Sequence, residues 1–105
     1  MHRSNSYNER FSRDIRNPKY SRAYILALLE DEDEPMTLEE ALRLIARKMG
    51  TTDFADLVGE RVQNIHGFIE GTRHPKRETL DKFLRPFGLE TVLGVKPVRA
   101  NRSLS

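Results

Sequence analysis

Four glycines, at positions 50, 59, 71 and 88, each end a short segment in which apolar residues recur at helical spacing. Glycine commonly ends a helix because it adopts the left-handed conformation of a helix C-cap without steric cost. Because these glycines lie only 9 to 17 positions apart, the helices between them must be short. The pattern therefore predicts an all-α fold built from several short helices around one core.

The apolar spacing predicts five helices. Their expected ranges are residues 21–29, 38–49, 52–58, 61–70 and 80–87. Thr37-Leu38-Glu39-Glu40 at the start of the second has the form of a capping box, in which the hydroxyl and the glutamate each satisfy a free amide. Residues 89–95 contain β-branched residues in partial alternation, which predicts a short C-terminal β-strand paired with a partner strand, for example that of a symmetry mate.

A chain of 105 residues is expected to form one domain with tails. We expect residues 1–19 to be a basic N-terminal arm, residues 20–95 the folded domain, and residues 96–105 a flexible basic tail. The arm ends at Asn17-Pro18, because the residue before a proline avoids the helical conformation. Aromatic and aliphatic residues four apart could make the arm a helix on a partner, but the sequence favours a loose arm in the isolated monomer.

The composition excludes several classes of protein. There is no run of 18 apolar residues and no apolar segment behind the first residues, so we expect neither a membrane span nor a secretory signal. The absence of cysteine suits a reducing cytoplasm. The three histidines lack metal-site spacing, and no nucleophile motif or phosphate loop is present. We therefore expect no metal, no cofactor and no enzymatic activity.

The charges are strongly segregated along the chain, although the net charge is only +2. Residues 1–29 hold six bases and two acids, and residues 71–105 hold eight bases and three acids. Residues 30–40 hold seven acids and no base. The basic blocks suit a polyanion such as nucleic acid, or simply a solvated surface. The acidic block is either a solvated loop or a surface for a basic partner.

The sharpest pattern lies between residues 51 and 71, where two short helices are joined by a glycine. Ala55 is small enough for the two helices to approach each other, and Gly59 permits the turn between them. Ile65 and Phe68 would anchor the second helix to the core, which leaves its other face polar and free. This is the arrangement that a helix-turn-helix needs to place one helix in the major groove.

With Gly71-x-x-x-Pro75 and a closing Phe87-Gly88-Leu89, this pattern resembles the Cro/C1-type (XRE) helix-turn-helix family over residues 37–89. The flanking segments, Arg16-Asn17-Pro18 with residues 24–30 and residues 88–93, resemble HigA-like antitoxins of addiction modules. The resemblance implies a five-helix λ-repressor-like domain that binds operator DNA as a homodimer. It also implies an antitoxin and autorepressor whose partner is a RelE-like ribonuclease toxin.

The resemblance also assigns candidate DNA contacts. The base-reading residues would be Arg61, Val62, Gln63, Asn64 and Gly67. The phosphate contacts would be Thr51, His66, Arg73, Lys76 and Arg77. Arginine pairs with guanine, glutamine and asparagine with adenine, and valine touches the thymine methyl group.

Two residues depart from the family pattern. Gly67 lies inside the second helix, where glycine costs about 1 kcal/mol relative to alanine; it either lets the backbone approach DNA or weakens the helix. Glu60 stands where a serine or threonine cap is common, and its charge would oppose a phosphate.

Two alternative functions therefore stay open. One is a module that masks a partner protein through residues 1–34 or the C-terminal strand, with weak or lost DNA binding. The other is an ordinary phage-type repressor.

Overall fold

A computed structural model describes the backbone of residues 2–92 and the side chains of residues 9–92. These described residues form six α-helices and a final 3₁₀ turn. The helices are α1 (His2–Ile15), α2 (Pro18–Leu29), α3 (Leu38–Met49), α4 (Thr51–Val58), α5 (Val62–Glu70) and α6 (Arg77–Leu84), followed by the turn Arg85–Phe87. The predicted all-α class is confirmed, and α2 to α6 overlap the five ranges expected for helices. The last expected range, 80–87, is shifted: α6 begins at Arg77 and residues 85–87 form the 3₁₀ turn.

The ends of the helices follow from local chemistry. Thr37 and Glu40 form the expected capping box, with the Glu40 amide donating to Thr37 Oγ1 at 3.1 Å and the Thr37 amide donating to Glu40 Oε1 at 2.9 Å. Asn17 caps α2 by accepting from the Lys19 amide, and Pro18 occupies the first helical position, where its missing N–H costs nothing.

One hydrophobic core joins all six helices. Its largest members are aromatic: Phe54, Phe68 and Phe83 lie with ring centroids 5.2–6.5 Å apart, between α4, α5 and α6. The core also contains these buried aliphatic side chains: Ile15, Ile25, Leu42, Ile45, Met49, Val58, Ile65 and Leu84. Full burial of such a side chain contributes roughly 1.5–3 kcal/mol to stability.

The expectation of a loose N-terminal arm is wrong for its second half. Phe11 and Ile15 of α1 are buried, and the Phe11 ring packs edge-on against Tyr24 at 5.4 Å. Ser12 is also buried, and its hydroxyl donates to Asp53 Oδ2 of α4 at 3.0 Å. The apolar residues that recur every four positions in the arm, Phe11 and Ile15, therefore pack into the core of this chain.

The expected C-terminal strand is not formed over its described part, residues 89–92. Residues 89–92 are irregular and return along α6; residues 93–95 and the predicted tail 96–105 lie outside the described residues. The physical reason is that Thr91 already donates its hydrogen bonds to Asp81 of α6 and not to a partner strand. Asp81 Oδ1 accepts from the Thr91 amide at 2.7 Å and from the Thr91 hydroxyl at 2.8 Å. A side chain of α6 thus replaces a partner strand.

Candidate nucleic-acid interface

A tight turn sets the angle between α4 and α5. Gly59 ends α4 in the left-handed conformation, with φ 74° and ψ 38°. The Glu60 amide then donates to the carbonyl of Ala55 at 2.9 Å, and Arg61 is extended before α5 begins at Val62. The buried Ala55 has only a methyl group at this position, so the two short helices can meet closely.

One face of α5 is anchored in the core. Ile65 is fully buried and Phe68 is 2% exposed, with the Phe68 ring against Phe54 and Phe83. On α3, Arg43 holds the same turn of α5, because its Nε donates to the Phe68 carbonyl at 2.7 Å and its guanidinium lies 5.0 Å from the centre of the Phe68 ring. The helix therefore cannot rotate about its axis without breaking the core.

The opposite side of α5 faces solvent. Of the five predicted base-reading residues, Arg61, Val62 and Gln63 are exposed, while Asn64 and Gly67 are half-buried. Val62 is 43% exposed, so an aliphatic side chain also faces solvent here. The structure therefore brings the first three together at the exposed start of α5 and places Asn64 at the edge of a cleft.

Gly67 has a neighbour that the sequence did not indicate. The Arg73 side chain crosses it so closely that a Cβ on Gly67 would lie 3.0 Å from Arg73 Cγ and Cδ. The Gly67 carbonyl also accepts from the amides of Thr72 and Arg73, at 3.0 and 3.2 Å. Because α5 continues through Gly67 to Glu70, the glycine does not interrupt the helix; it makes room for the basic loop.

The basic loop, residues 71–76, lies beside α5 and leads into α6. Arg73 and Lys76 are exposed on this loop, and Arg77, also exposed, is the first residue of α6. A cleft of about 350 Å³ separates the loop from α5, and Asn64, Arg73, Lys76 and Thr79 supply polar groups to its wall. Thr79 was not predicted as a site residue from the sequence, because only the path of the loop brings it to the same cleft as Asn64.

An ionic network fixes the loop to α3. His74 Nδ1 lies 2.8 Å from Glu39 Oε2, and Arg43 Nη2 lies 2.6 Å from the same oxygen. Burial alone would raise the pKa of the Glu39 carboxyl, but hydrogen bonds and charge from His74 and Arg43 outweigh it, so this pKa lies below its ordinary value. The loop that carries Arg73 and Lys76 is therefore held in place.

The remaining predicted phosphate contacts occupy different settings. Thr51 begins α4 and is half-buried, and no side chain caps this helix start. His66 is exposed on α5, with Nδ1 3.7 Å from Glu70 Oε2. Arg77 donates from Nε to Thr91 Oγ1 at 2.9 Å, so part of its guanidinium is already engaged.

Glu60 does not project its charge from the start of α5. Its Oε1 accepts from the Arg61 amide at 3.2 Å and lies 3.6 Å from Lys82 Nζ on α6. Glu70, which the sequence reasoning did not single out, is the exposed acid on α5 and lies at its C-terminal end. Helical periodicity could have placed it on the outer side, because it is separated from Gln63 by seven residues, close to two turns.

Other kinds of site find no support among the described side chains. No group of three histidine or acidic residues there is arranged to hold a metal ion. In the described part of the chain, no helix has both the length and the apolar character needed to cross a bilayer. No family model, curated protein or solved structure matches the chain.

Proposed function

We propose that this chain is a sequence-specific double-stranded DNA-binding regulator of transcription, in which α4 and α5 form the helix-turn-helix of a λ-repressor-like domain. The observation that carries the proposal is the two-sided character of α5. Ile65 and Phe68 are buried in the core, whereas Gln63 and its exposed neighbours face solvent beside the basic loop. The major groove of B-DNA is wide enough to admit such a helix.

The start of α5 carries suitable chemistry for reading bases. Arg61 can donate two hydrogen bonds to guanine, and Gln63 can pair with the N6 and N7 atoms of adenine. Val62 offers an exposed apolar surface to a thymine methyl group. Asn64, at the edge of the cleft, would reach a base once DNA lies against α5. Each good bidentate pair contributes about 1–3 kcal/mol of discrimination.

The neighbouring groups would set the register on the DNA backbone. Arg73 and Lys76 are exposed on a loop that is fixed to α3 through His74, so their charges keep a defined position relative to α5. Thr51 and the uncapped start of α4 offer a hydroxyl and backbone amides to a phosphate. Phosphate contacts of this kind contribute affinity without sequence preference.

We propose a homodimer on a pseudo-palindromic operator, with half-sites about one helical turn, roughly 34 Å, apart. The biological setting that we propose follows from the resemblance to HigA-like proteins: an antitoxin that represses its own promoter and pairs with a RelE-like toxin. The neighbouring reading frame tests this setting. If that frame encodes a small basic protein that inhibits growth, co-expression of this chain should relieve the inhibition, whereas a phage-like neighbour would favour an ordinary repressor.

Fluorescence anisotropy on DNA from upstream of the chain's own reading frame tests the DNA-reading role. Replacing Gln63 and Asn64 together by alanine should remove most of the preference for the operator over scrambled DNA, because two base contacts of about 1–3 kcal/mol each are lost while Arg61 remains. The affinity for scrambled DNA and the thermal midpoint serve as controls and should stay unchanged, since neither side chain belongs to the buried core. An unchanged preference for the operator in the double variant would contradict α5 as the reader.

A second candidate function is the masking of a partner protein, which the exposed apolar side chains of α2 favour. Tyr20 and Leu26 are each 42% exposed. Both lie within residues 1–34, the segment that the sequence assigns to such a role. Copurification of a small basic protein at equal stoichiometry, without any shift of promoter DNA, would favour this function over DNA binding.

A further inference from the structure

An apolar groove lies between α2 and the segment that follows the last 3₁₀ turn. Its volume is about 230 Å³, and its walls include Leu26 and Leu29 of α2, Leu38 of α3, and Leu89 and Val92 of the final described segment. Leu26 is 42% exposed and Val92 is 80% exposed. Leu26 and Val92 therefore give the groove an apolar rim that is open to water.

Five consecutive acidic residues, Glu30 to Glu34, lie in the loop that connects Leu29 to Leu38, two residues of the groove wall. The acidic loop that they form starts directly after Leu29 and ends shortly before Leu38, and the Met36 amide donates to the Leu28 carbonyl at 3.0 Å, which holds the loop against α2. All five are exposed, and none of them forms an ion pair with a base in the described part of the chain. Glu90 adds a sixth carboxylate, which lines the groove itself.

The shape of the loop is fixed by one of its own members. Asp31 Oδ1 accepts from the amides of Asp33 and Glu34, both at 2.9 Å. The carboxylates of Glu32, Asp33 and Glu34 therefore extend from a fixed turn. A cation placed at the rim would meet several of them together, and like-charge repulsion within the loop would fall when it bound.

The sign of the charge selects the occupant. Nucleic acid and anionic membranes are repelled by these carboxylates. A two-fold contact of this groove with its own copy would place one acidic loop near the other, which like-charge repulsion disfavours. The base nearest to Leu26 along α2 is Arg22, one helical turn before it. The Arg22 guanidinium lies against Gly88.

We infer that this groove is a docking site for a basic segment of another protein, which inserts aliphatic side chains between Leu26, Leu29 and Val92 and places lysine or arginine against the acidic loop. The site is distinct from the proposed DNA-reading helix, and the inference stands whether or not α5 binds DNA. It gives the masking role a defined surface and a defined partner chemistry.

Methyl and amide NMR of the full chain can test the inference with a synthetic amphipathic peptide of leucine and lysine as the probe. The peptide should shift the signals of Leu26, Leu29 and Val92 and leave those of Gln63 unchanged. Replacing its leucines by serine, or its lysines by glutamate, should each weaken binding at least about tenfold, because both the apolar and the ionic contacts are needed.

Variants of the chain provide the matched comparison. Glu32→Gln, Asp33→Asn and Glu34→Gln together should weaken peptide binding about tenfold, since three exposed ion pairs with the peptide are lost. Asp56→Asn, Glu70→Gln and Glu78→Gln remove the same charge elsewhere and should leave binding unchanged. Leu26→Glu should abolish binding while the thermal midpoint stays within a few degrees, because this side chain is already largely exposed.

Three outcomes would overturn the inference. Equal losses in the two triple variants would show a response to net charge rather than to the groove. Shifts confined to α5 would place the contact elsewhere. A peptide of residues 93–105 of this chain, which carries three bases, could bind more tightly than the leucine–lysine peptide and compete with it; the groove would then belong to the chain's own C-terminal residues.

Discussion

Arg77 and Thr91 join the start of α6 to the final described segment: Arg77 Nε donates to Thr91 Oγ1 at 2.9 Å, and the same hydroxyl donates to Asp81 Oδ1 at 2.8 Å. A residue that the sequence assigns to DNA phosphate is therefore also a residue that holds the end of the domain. Any displacement of residues 89–92 would change the partners available to the Arg77 guanidinium.

The first prediction concerns Asp81. Hydrogen bonds from the Thr91 amide and hydroxyl lower the pKa of its carboxyl below the ordinary value of 3.8. A carboxyl with a lowered pKa in the folded state stabilises the fold above the ordinary value, and this contribution is lost as the pH falls through the lower, folded value. Asp81→Asn should therefore reduce the thermal midpoint at neutral pH and narrow its difference from the wild type below pH 3.8.

Thermal unfolding measured by circular dichroism between acidic and neutral pH checks this prediction. Glu78→Gln, an exposed carboxylate on the same helix, is the control and should leave the pH profile unchanged. A difference between Asp81→Asn and the wild type that stays constant down to the acid limit would contradict a role for the carboxylate charge.

The second prediction concerns Gly67. Alanine there would gain about 1 kcal/mol of helix propensity, but its Cβ would lie 3.0 Å from the Arg73 stem and force it to move. Gly67→Ala should therefore weaken DNA binding with little gain in stability. In an Arg73→Ala background, the same change should stabilise the protein by about 1 kcal/mol. Equal effects in both backgrounds, measured by urea unfolding, would mean that the two residues are not coupled.

The third prediction concerns the charges of the basic loop. Arg73→Ala and Lys76→Ala should each weaken binding to operator and scrambled DNA alike, and should reduce the slope of log affinity against log salt by about one. Arg13→Ala and Lys19→Ala remove equally exposed bases from α1 and α2 and should leave this slope unchanged. Equal slopes in the two sets of variants would remove the loop from the proposed interface.

The fourth prediction concerns the link between His74 and Glu39. His74→Ala removes a hydrogen bond and a charge that lower the pKa of Glu39, so this pKa should rise toward its ordinary value of 4.5. Carboxyl NMR of Glu39 measures this change directly. Amide exchange in residues 71–76 should also become faster, because the loop loses its contact with α3. An unchanged Glu39 titration would show that Arg43 alone sets its pKa.

Helices α2 to α6 were predictable from sequence because each depends on local signals, whereas α1 was expected to be a loose arm. The capping box at Thr37 and the glycine at position 59 each determine a boundary without reference to distant residues. The inward residues of α5 were predictable for the same reason, since helical spacing places Ile65 and Phe68 on one face.

The tertiary contacts could not be predicted, because they join residues that are far apart in the chain. Ser12 meets Asp53, and Asp81 meets Thr91, across separations that no local pattern encodes. The fit of Arg73 over Gly67 required the actual path of the loop. The burial of Phe11 was predictable only as an apolar spacing, because sequence alone does not say whether such a face packs on its own domain or on a partner.

The hydrogen bond between Ser12 and Asp53 has a practical consequence for dissecting this molecule. Since α1 supplies Phe11 and Ile15 to the interior and touches the first turn of α4, the smallest autonomous folding unit extends well before the Asn17-Pro18 junction. A fragment trimmed at that junction would leave a gap beside Tyr24, and a loss of binding in such a fragment would report unfolding rather than a missing contact.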